Sequence, residues 1–276
     1  MRLRAGYCLV LPLLAVNAWG SSILGTADGF AVLGGQTVTN TGATTITGNL
    51  GVSPGTAITG EASITQTGTV HKNDGVAIQA QSDVTTAYNY LANLSPITDL
   101  TGKNLGGLTL DPGIYHFDTS AQLTGALTLD AHGSDNAFWA FQIGSTLTSA
   151  SSSSVHVING GLGGALYWQV GSSATLGTST TFEGNILALT SITMNTGATI
   201  PCGRALARNG AVTMDTNIVS TGCSGTDTSG SGAGGGSTGG GSVEGGGAEV
   251  PEPASFLLVG LGLSVGLLSR RLRAAL

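Results

Sequence analysis

Charge and aromatic rings are what this chain has least of. Only 9% of its 276 residues are charged and 5% are aromatic. Nine basic residues stand against fifteen acidic ones, for a net charge of −6. Five of the nine (Arg2, Arg4, Arg270, Arg271, Arg273) sit at the two ends, leaving four basic and eleven acidic residues between Ser21 and Cys223. Binding to a phosphate backbone needs a basic stripe, and its absence excludes nucleic acid as a partner. With so few rings, the core is expected to come from Val, Ile, Leu and Ala. The four histidines (His71, His116, His132, His156) lie scattered, without metal-ligand spacing, so no metal and no cofactor is expected.

What the chain has instead is glycine, 46 residues of it, and a repeat. Ala174-Thr175-Leu176, Ile192-Thr193-Met194 and Val212-Thr213-Met214 are apolar–Thr–apolar triplets whose threonines lie 18 and 20 residues apart. Leu108-Thr109-Leu110 and Leu127-Thr128-Leu129 repeat the pattern, and Leu147-Thr148 does so more weakly. Ile46 recurs as Ile64, also 18 residues on. A period near 20 built from strand-length pieces marks stacked coils. Strand side chains alternate, so the apolar residues turn inward and the threonines outward, forming a ladder. Aliphatic rungs with glycine at the corners suit such a stack. Between Thr148 and Thr175 the spacing stretches to 27 residues, which predicts an inserted strand at Val155-His156-Val157 and a loop at residues 160–164.

Taken in order, residues 1–20 read as a signal peptide. Arg2 and Arg4 precede a short apolar run, and Ala18-Trp19-Gly20 offers a cleavage site before Ser21. The coil body is expected over residues 21–223. It is interrupted from Asp74 to Leu94, where Ala77, Ala80, Val84, Ala87, Tyr88 and Leu91 fall at helical spacing behind a possible Asp74 N-cap. This helix is long enough to lie along the side of the stack. Cys202 and Cys223 are 21 residues apart, about one coil. Neighbouring rungs in an exported protein favour a disulfide between them over two free thiols. Residues 224–249 form a Gly/Ser linker.

Two resemblances follow. Val250-Pro251-Glu252-Pro253, the apolar run from Phe256 to Leu268 and the basic Arg270-Arg271-Leu272-Arg273 resemble, over 250–276, the PEP-CTERM sorting tail of Gram-negative bacteria. That resemblance implies export, processing by a membrane-bound exosortase, transient membrane anchoring and, often, an extracellular polysaccharide setting. The alternative is a simple tail anchor. Residues 33–60, 105–129, 167–199 and 203–217 are similar to the microbial ice-binding β-solenoid family. Membership implies an all-β-dominated, discontinuous right-handed β-solenoid, triangular in section, with a long α-helix alongside.

The family often carries Thr-Ala/Gly-x-Thr/Asn on its ice face. Thr41-Gly42-Ala43-Thr44 and Thr196-Gly197-Ala198-Thr199 match it. Stepping by one coil adds Thr178, Thr181, Thr59, Thr216 and Asn217, with Thr181, Thr199 and Asn217 expected to stack. Thr193 joins them from the first ladder. The expected function is that of an exported, surface-located ice-binding protein whose partner is the ice–water surface. The alternative is a structural or adhesive solenoid of the polysaccharide matrix. Catalysis is not expected. Stacked-coil enzymes that cleave polysaccharide converge two carboxylates on one bond, and the candidates here, Asp111/His116/Asp118 and His132/Asp135, read as turns and solvated edges.

Overall fold

The computed structural model describes residues 22–160 and 166–222. The leader, Cys223, the linker and the sorting tail lie outside the described residues. The chain coils into a three-sided stack of parallel strands. The first sheet runs, in spatial order, Val70–Lys72, Asn49–Val52, Phe30–Gly34, Gly203–Ala207, Gly184–Ala188, Leu166–Val170, Trp139–Ile143, Gly113–Phe117, Thr98–Asp99. The second has seven strands, from Ala121–Leu123 at one edge to Ala57–Thr59 at the other. The third comes in two parts, of three and four strands, joined through single bridges of Thr181 to Ser154 and to Thr199.

The order of stacking is not the order of the chain. Phe30–Gly34 pairs with Asn49–Val52 on one side and with Gly203–Ala207 on the other. Thr37–Thr41 and Thr44–Thr47 sit in the same way between the second coil and the last. The first coil is thus inserted between its successor and the final coil. After Val70–Lys72 the helix α1, Gly75–Ala92, carries the chain to the opposite end, and the remaining coils wind back to close this seam.

Helix α1 has its cause in local sequence. Asp74 caps it, accepting a hydrogen bond from the Ala77 amide at 2.9 Å. The predicted stripe of Ala77, Ala80, Val84, Ala87, Tyr88 and Leu91 is the buried one. It packs on the outer side of the first sheet against Leu33, Ala140, Tyr167, Leu187 and Leu206. The middle of that sheet is therefore covered on both sides, and the strands Trp139–Ile143, Leu166–Val170, Gly184–Ala188 and Gly203–Ala207 read as unbroken buried runs. At the far end Gln142 donates to the carbonyls of Leu91 at 2.8 Å and, just beyond the helix, Leu94 at 2.7 Å, adding to the long 3.4 Å bond that Leu91 accepts from the Leu94 amide.

The interior departs from the expected aliphatic filling. Tyr115, Phe141 and Trp168 occupy consecutive rungs of one inward column, and Phe141 stacks on Trp168 at 4.0 Å between ring centroids. The column continues through Ile186 to Ala205. A low aromatic total says nothing about location, and here the rings are concentrated inside one end of the stack.

Two other expectations are corrected. Ser154–Ile158 is no insertion; it pairs along its whole length with Ala126–Asp130 as a regular strand of the third sheet. The single threonine ladder is also two ladders. Thr109 and Thr128 pair on the third sheet and are followed there by His156, whereas Thr148, Thr175, Thr193 and Thr213 pair on the second. An apolar–Thr–apolar triplet marks an outward position but not the side of the coil it faces from.

Candidate functional site

The second sheet is built from short strands that bury Leu147, Ala174, Ile192, Val212 and Val38 on successive rungs. One residue further along each strand, the outward column reads Gln122, Thr148, Thr175, Thr193, Thr213, Thr39, Thr59. Six threonines in unbroken succession follow one glutamine. Among the described residues, no intramolecular hydrogen bond uses any of the six hydroxyls. Each therefore faces solvent with its donor and acceptor free.

The flanking positions are small. Two residues before the threonines stand Ser120, Thr146, Ser173, Ser191, Ala211, Thr37 and Ala57. Several of these hydroxyls turn back to the protein. Thr146 Oγ1 donates to Ser120 Oγ at 2.8 Å, and Ser191 Oγ accepts from the Ala211 amide at 3.1 Å. On the other flank Asp215, paired in register with Thr41, brings a negative charge to the corner. The result is a wide, even strip with one column of free hydroxyls along its middle.

The corner between the second and third sheets repeats one backbone device. Ser152, Ser179, Gly197, Thr216 and Gly42 all have positive φ, between 56° and 72°. At Gly42 a side chain is also sterically barred, since a Cβ there would meet Thr216 Oγ1 at 2.3 Å. The corner side chains serve the turn. Thr196 Oγ1 and Thr216 Oγ1 both donate to the Asp215 carboxylate.

The predicted residues fall into four places. Thr193 and Thr59 lie in the free column of the second sheet, with Thr41 at that sheet's edge. Thr178, Thr196 and Thr216 are exposed at the corner. Thr181 and Thr199 pair with each other on the third sheet. Thr44 and Asn217 are inside, each 1% exposed, and the structure withdraws both from the candidate surface. Thr44 Oγ1 donates to Asn40 Oδ1 at 2.6 Å. The Asn217 amide group donates to the carbonyls of Asn195 at 3.0 Å and Ala198 at 2.8 Å. The expected stack of Thr181, Thr199 and Asn217 slips by one residue, because Ile218 is the partner of Thr199. From Thr193 to Thr199 the chain uses six steps, and from Thr213 to Ile218 only five.

Thr39, Thr148, Thr175 and Thr213 are the surface residues that the sequence reading did not select. The signal for Thr39 was present in the alternation Thr37, Thr39, Thr41. The other three stand in the triplets themselves, whose spacing marks the coil period without telling which side of the coil each faces from.

The acidic and histidine groups do not assemble as the sequence grouped them: Asp111 leaves His116 and Asp118 for His132, which has Asp130 on its other side. Asp111 pairs with His132 at 2.7 Å, while His116 pairs with Asp118 at 2.9 Å. The hydrogen bond that His132 donates to Asp111, then the nearby Asp130 charge, raise the His132 pKa above its ordinary value. Burial raises that of Glu183, which accepts a hydrogen bond from the Val157 amide. Among the described residues no group of three His, Cys, Asp or Glu is placed to hold a metal ion.

Comparison with known proteins gives the following. A family described as ice-binding-like matches residues 32–220, and the PEP-CTERM protein-sorting motif matches residues 249–273. An ice-binding protein of Nostoc sp. (strain HG1) is 56% identical over 230 residues, spanning 81% of this chain and 85% of that one. One from Colwellia sp. is 34% identical over 212 residues, spanning 71% and 82%. The crystal structure of an ice binding protein from an Antarctic biological consortium superposes with a TM-score of 0.70 at 48% identity, over 76% of this chain and 95% of that one. That of the Antarctic ascomycete Antarctomyces psychrotrophicus gives 0.69 at 41% identity, over 72% and 97%.

Proposed function

We infer the function from one premise: this chain belongs to the ice-binding-like family. It is an exported protein of antifreeze type that adsorbs to ice. The sorting motif at residues 249–273 implies export and sorting to the cell surface, with exosortase as the processing partner. Among the described residues no helix is long and apolar enough to cross a membrane. The membrane anchor belongs to the apolar run 256–268, which lies outside them. In the proposed layout, residues 1–20 are removed, 21–223 form the ice-binding body, 224–249 link it and 250–276 sort it. Cys202 is disulfide-bonded, and we assign Cys223 as its partner. The protein acts by adsorption and carries out no catalysis.

The second sheet is the proposed contact face. The observation that carries this is the unbroken column Thr148, Thr175, Thr193, Thr213, Thr39, Thr59 with its hydroxyls free. Rungs repeat at about 4.8 Å and alternate residues along a strand at about 6.7 Å, distances comparable with oxygen repeats in ice. Each threonine holds one water by its hydroxyl and orders the next by its methyl. β-Branching restricts χ1, so the array is fixed before it meets the crystal. The ordering cost falls on folding rather than on adsorption. Thr193→Tyr places a ring in the middle of the column. It is expected to remove most of the thermal hysteresis and recrystallisation inhibition. The melting temperature should hardly move, because exposed substitutions usually change stability by no more than about 0.5 kcal/mol. Full activity in a folded Thr193→Tyr protein would rule this face out.

A further inference from the structure

The corner motif and the stack beyond it are not used by the second sheet. On the third sheet an outward column runs Thr181, Thr199, Ile218, Thr45, Thr65 in continuous register. Beside it Ser220 pairs with Thr47, and Thr67 follows on the next rung, its amide donating to the Ile46 carbonyl. Among the described residues, the hydroxyls of Thr181, Thr199, Thr45, Thr65 and Thr47 make no intramolecular hydrogen bond.

The two halves of this sheet differ in kind. The half far from the seam carries His156 close to Glu183, together with His132 between Asp111 and Asp130. The half near the seam has no charged residue in its main column, and Glu183, two residues beyond Thr181 on the boundary rung, is the one charge in the column beside it. Ile218 stands in the middle of the column and is 50% exposed. A solvent-facing strand position is satisfied by threonine at no apolar cost, and threonine occupies the rungs on both sides. An isoleucine there keeps the β-branched shape and the outward methyl but gives up the hydroxyl. That exchange costs a water-facing surface something, and suits one that orders water around methyl groups.

We propose that the near-seam half of the third sheet, Thr181, Thr199, Ile218, Thr45, Thr65 and Thr47, is a second ice-contacting patch. It rests on the ice-adsorption reading above. The two sheets meet at a corner and face different directions, so the patches engage differently oriented crystal planes. The protein thereby adsorbs to two sets of planes, one through each sheet.

The test uses the full chain, fluorescently labelled, on a single-crystal ice hemisphere, with thermal hysteresis measured in parallel. The paired variant Thr45→Tyr with Thr199→Tyr should lose one set of decorated planes and keep the other. Thr193→Tyr should show the converse pattern. If the paired variant does not fold, Ile218→Lys replaces it, since a long charged side chain is accommodated at that exposed site; it should lose the same set of planes. The proposal is overturned if the third-sheet variant decorates the same planes as the wild type with unchanged hysteresis. It is also overturned if that variant loses every plane while Thr193→Tyr loses none, which places all contact on the third sheet. If no variant reduces adsorption, the second-sheet assignment fails as well.

Discussion

At the residue scale, what separates a contact residue from a structural one is where its polar atoms point. Thr44 and Asn217 belong to the same sequence motif as Thr41 and Thr216, yet their side chains close the corner from within. Sequence spacing could not reveal this, because their burial depends on how the next coil closes over them. Asn217→Ala leaves the buried Ala198 carbonyl without its side-chain donor and the Asn195 carbonyl with the Ala198 amide alone, and is expected to cost about 1–3 kcal/mol in denaturant unfolding. Glu183 gives a prediction in pH. Burial raises its folded pKa above the unfolded value, so the folded state holds the proton more tightly. Its contribution to stability is lost as pH rises from the unfolded carboxylate pKa through the folded one. Glu183→Gln keeps an acceptor for the Val157 amide without the buried charge. Melting curves should show the variant more stable than wild type near neutral pH, with the advantage vanishing in acid. Asp74 has the opposite sign. The Ala77 amide and then His71 hold its pKa below the ordinary value, so its contribution is present above the unfolded pKa and lost as pH falls through the folded one.

At the element scale, the buried stripe of the helix was legible residue by residue, though the helix ends two residues short of the expected Leu94, and the strands were legible only in outline. The six buried positions of α1 follow from a 3.6-residue period that is wholly local. Strands of two to five residues carry no such signal, and the face each belongs to is fixed by coils distant in sequence. That is why Thr109 and Thr148 looked alike. What the local pattern could not show of the helix is how it ends. Gln142 lies on a strand 51 residues beyond Leu91, and its amide ties the carbonyls of Leu91 and Leu94 to the first sheet. Gln142→Ala should lower unfolding stability by about 1–3 kcal/mol, and hydrogen exchange should quicken first in residues 89–94. Unchanged exchange there would mean that water replaces the amide at no cost.

At the scale of the whole molecule, the coil period and the helix alongside the stack could be read from sequence. The position of the first coil could not, because pairing across the seam leaves no periodic mark. Val32 pairs with Ala205, 173 positions away. An ordinary repeat array unravels from its ends, but here both chain termini of the coil body enter the middle of the stack. Leu50→Ala near the seam and Leu127→Ala in a distant coil should each cost about 2–5 kcal/mol. Both are expected to shift a single unfolding transition, seen at one midpoint by circular dichroism and tryptophan fluorescence. Two separate transitions would show that the coils on either side of the seam melt independently. The seam also sets an order of events in time. A chain exported N-terminus first delivers residues 30–66 long before residues 203–220. Its opening coils emerge with one rim uncovered and wait for the last coil to arrive. The closing step brings together the most distant parts of the sequence and is therefore slow. Until the end of the chain is across, the beginning has no finished structure to adopt, and the exported protein matures in one late event.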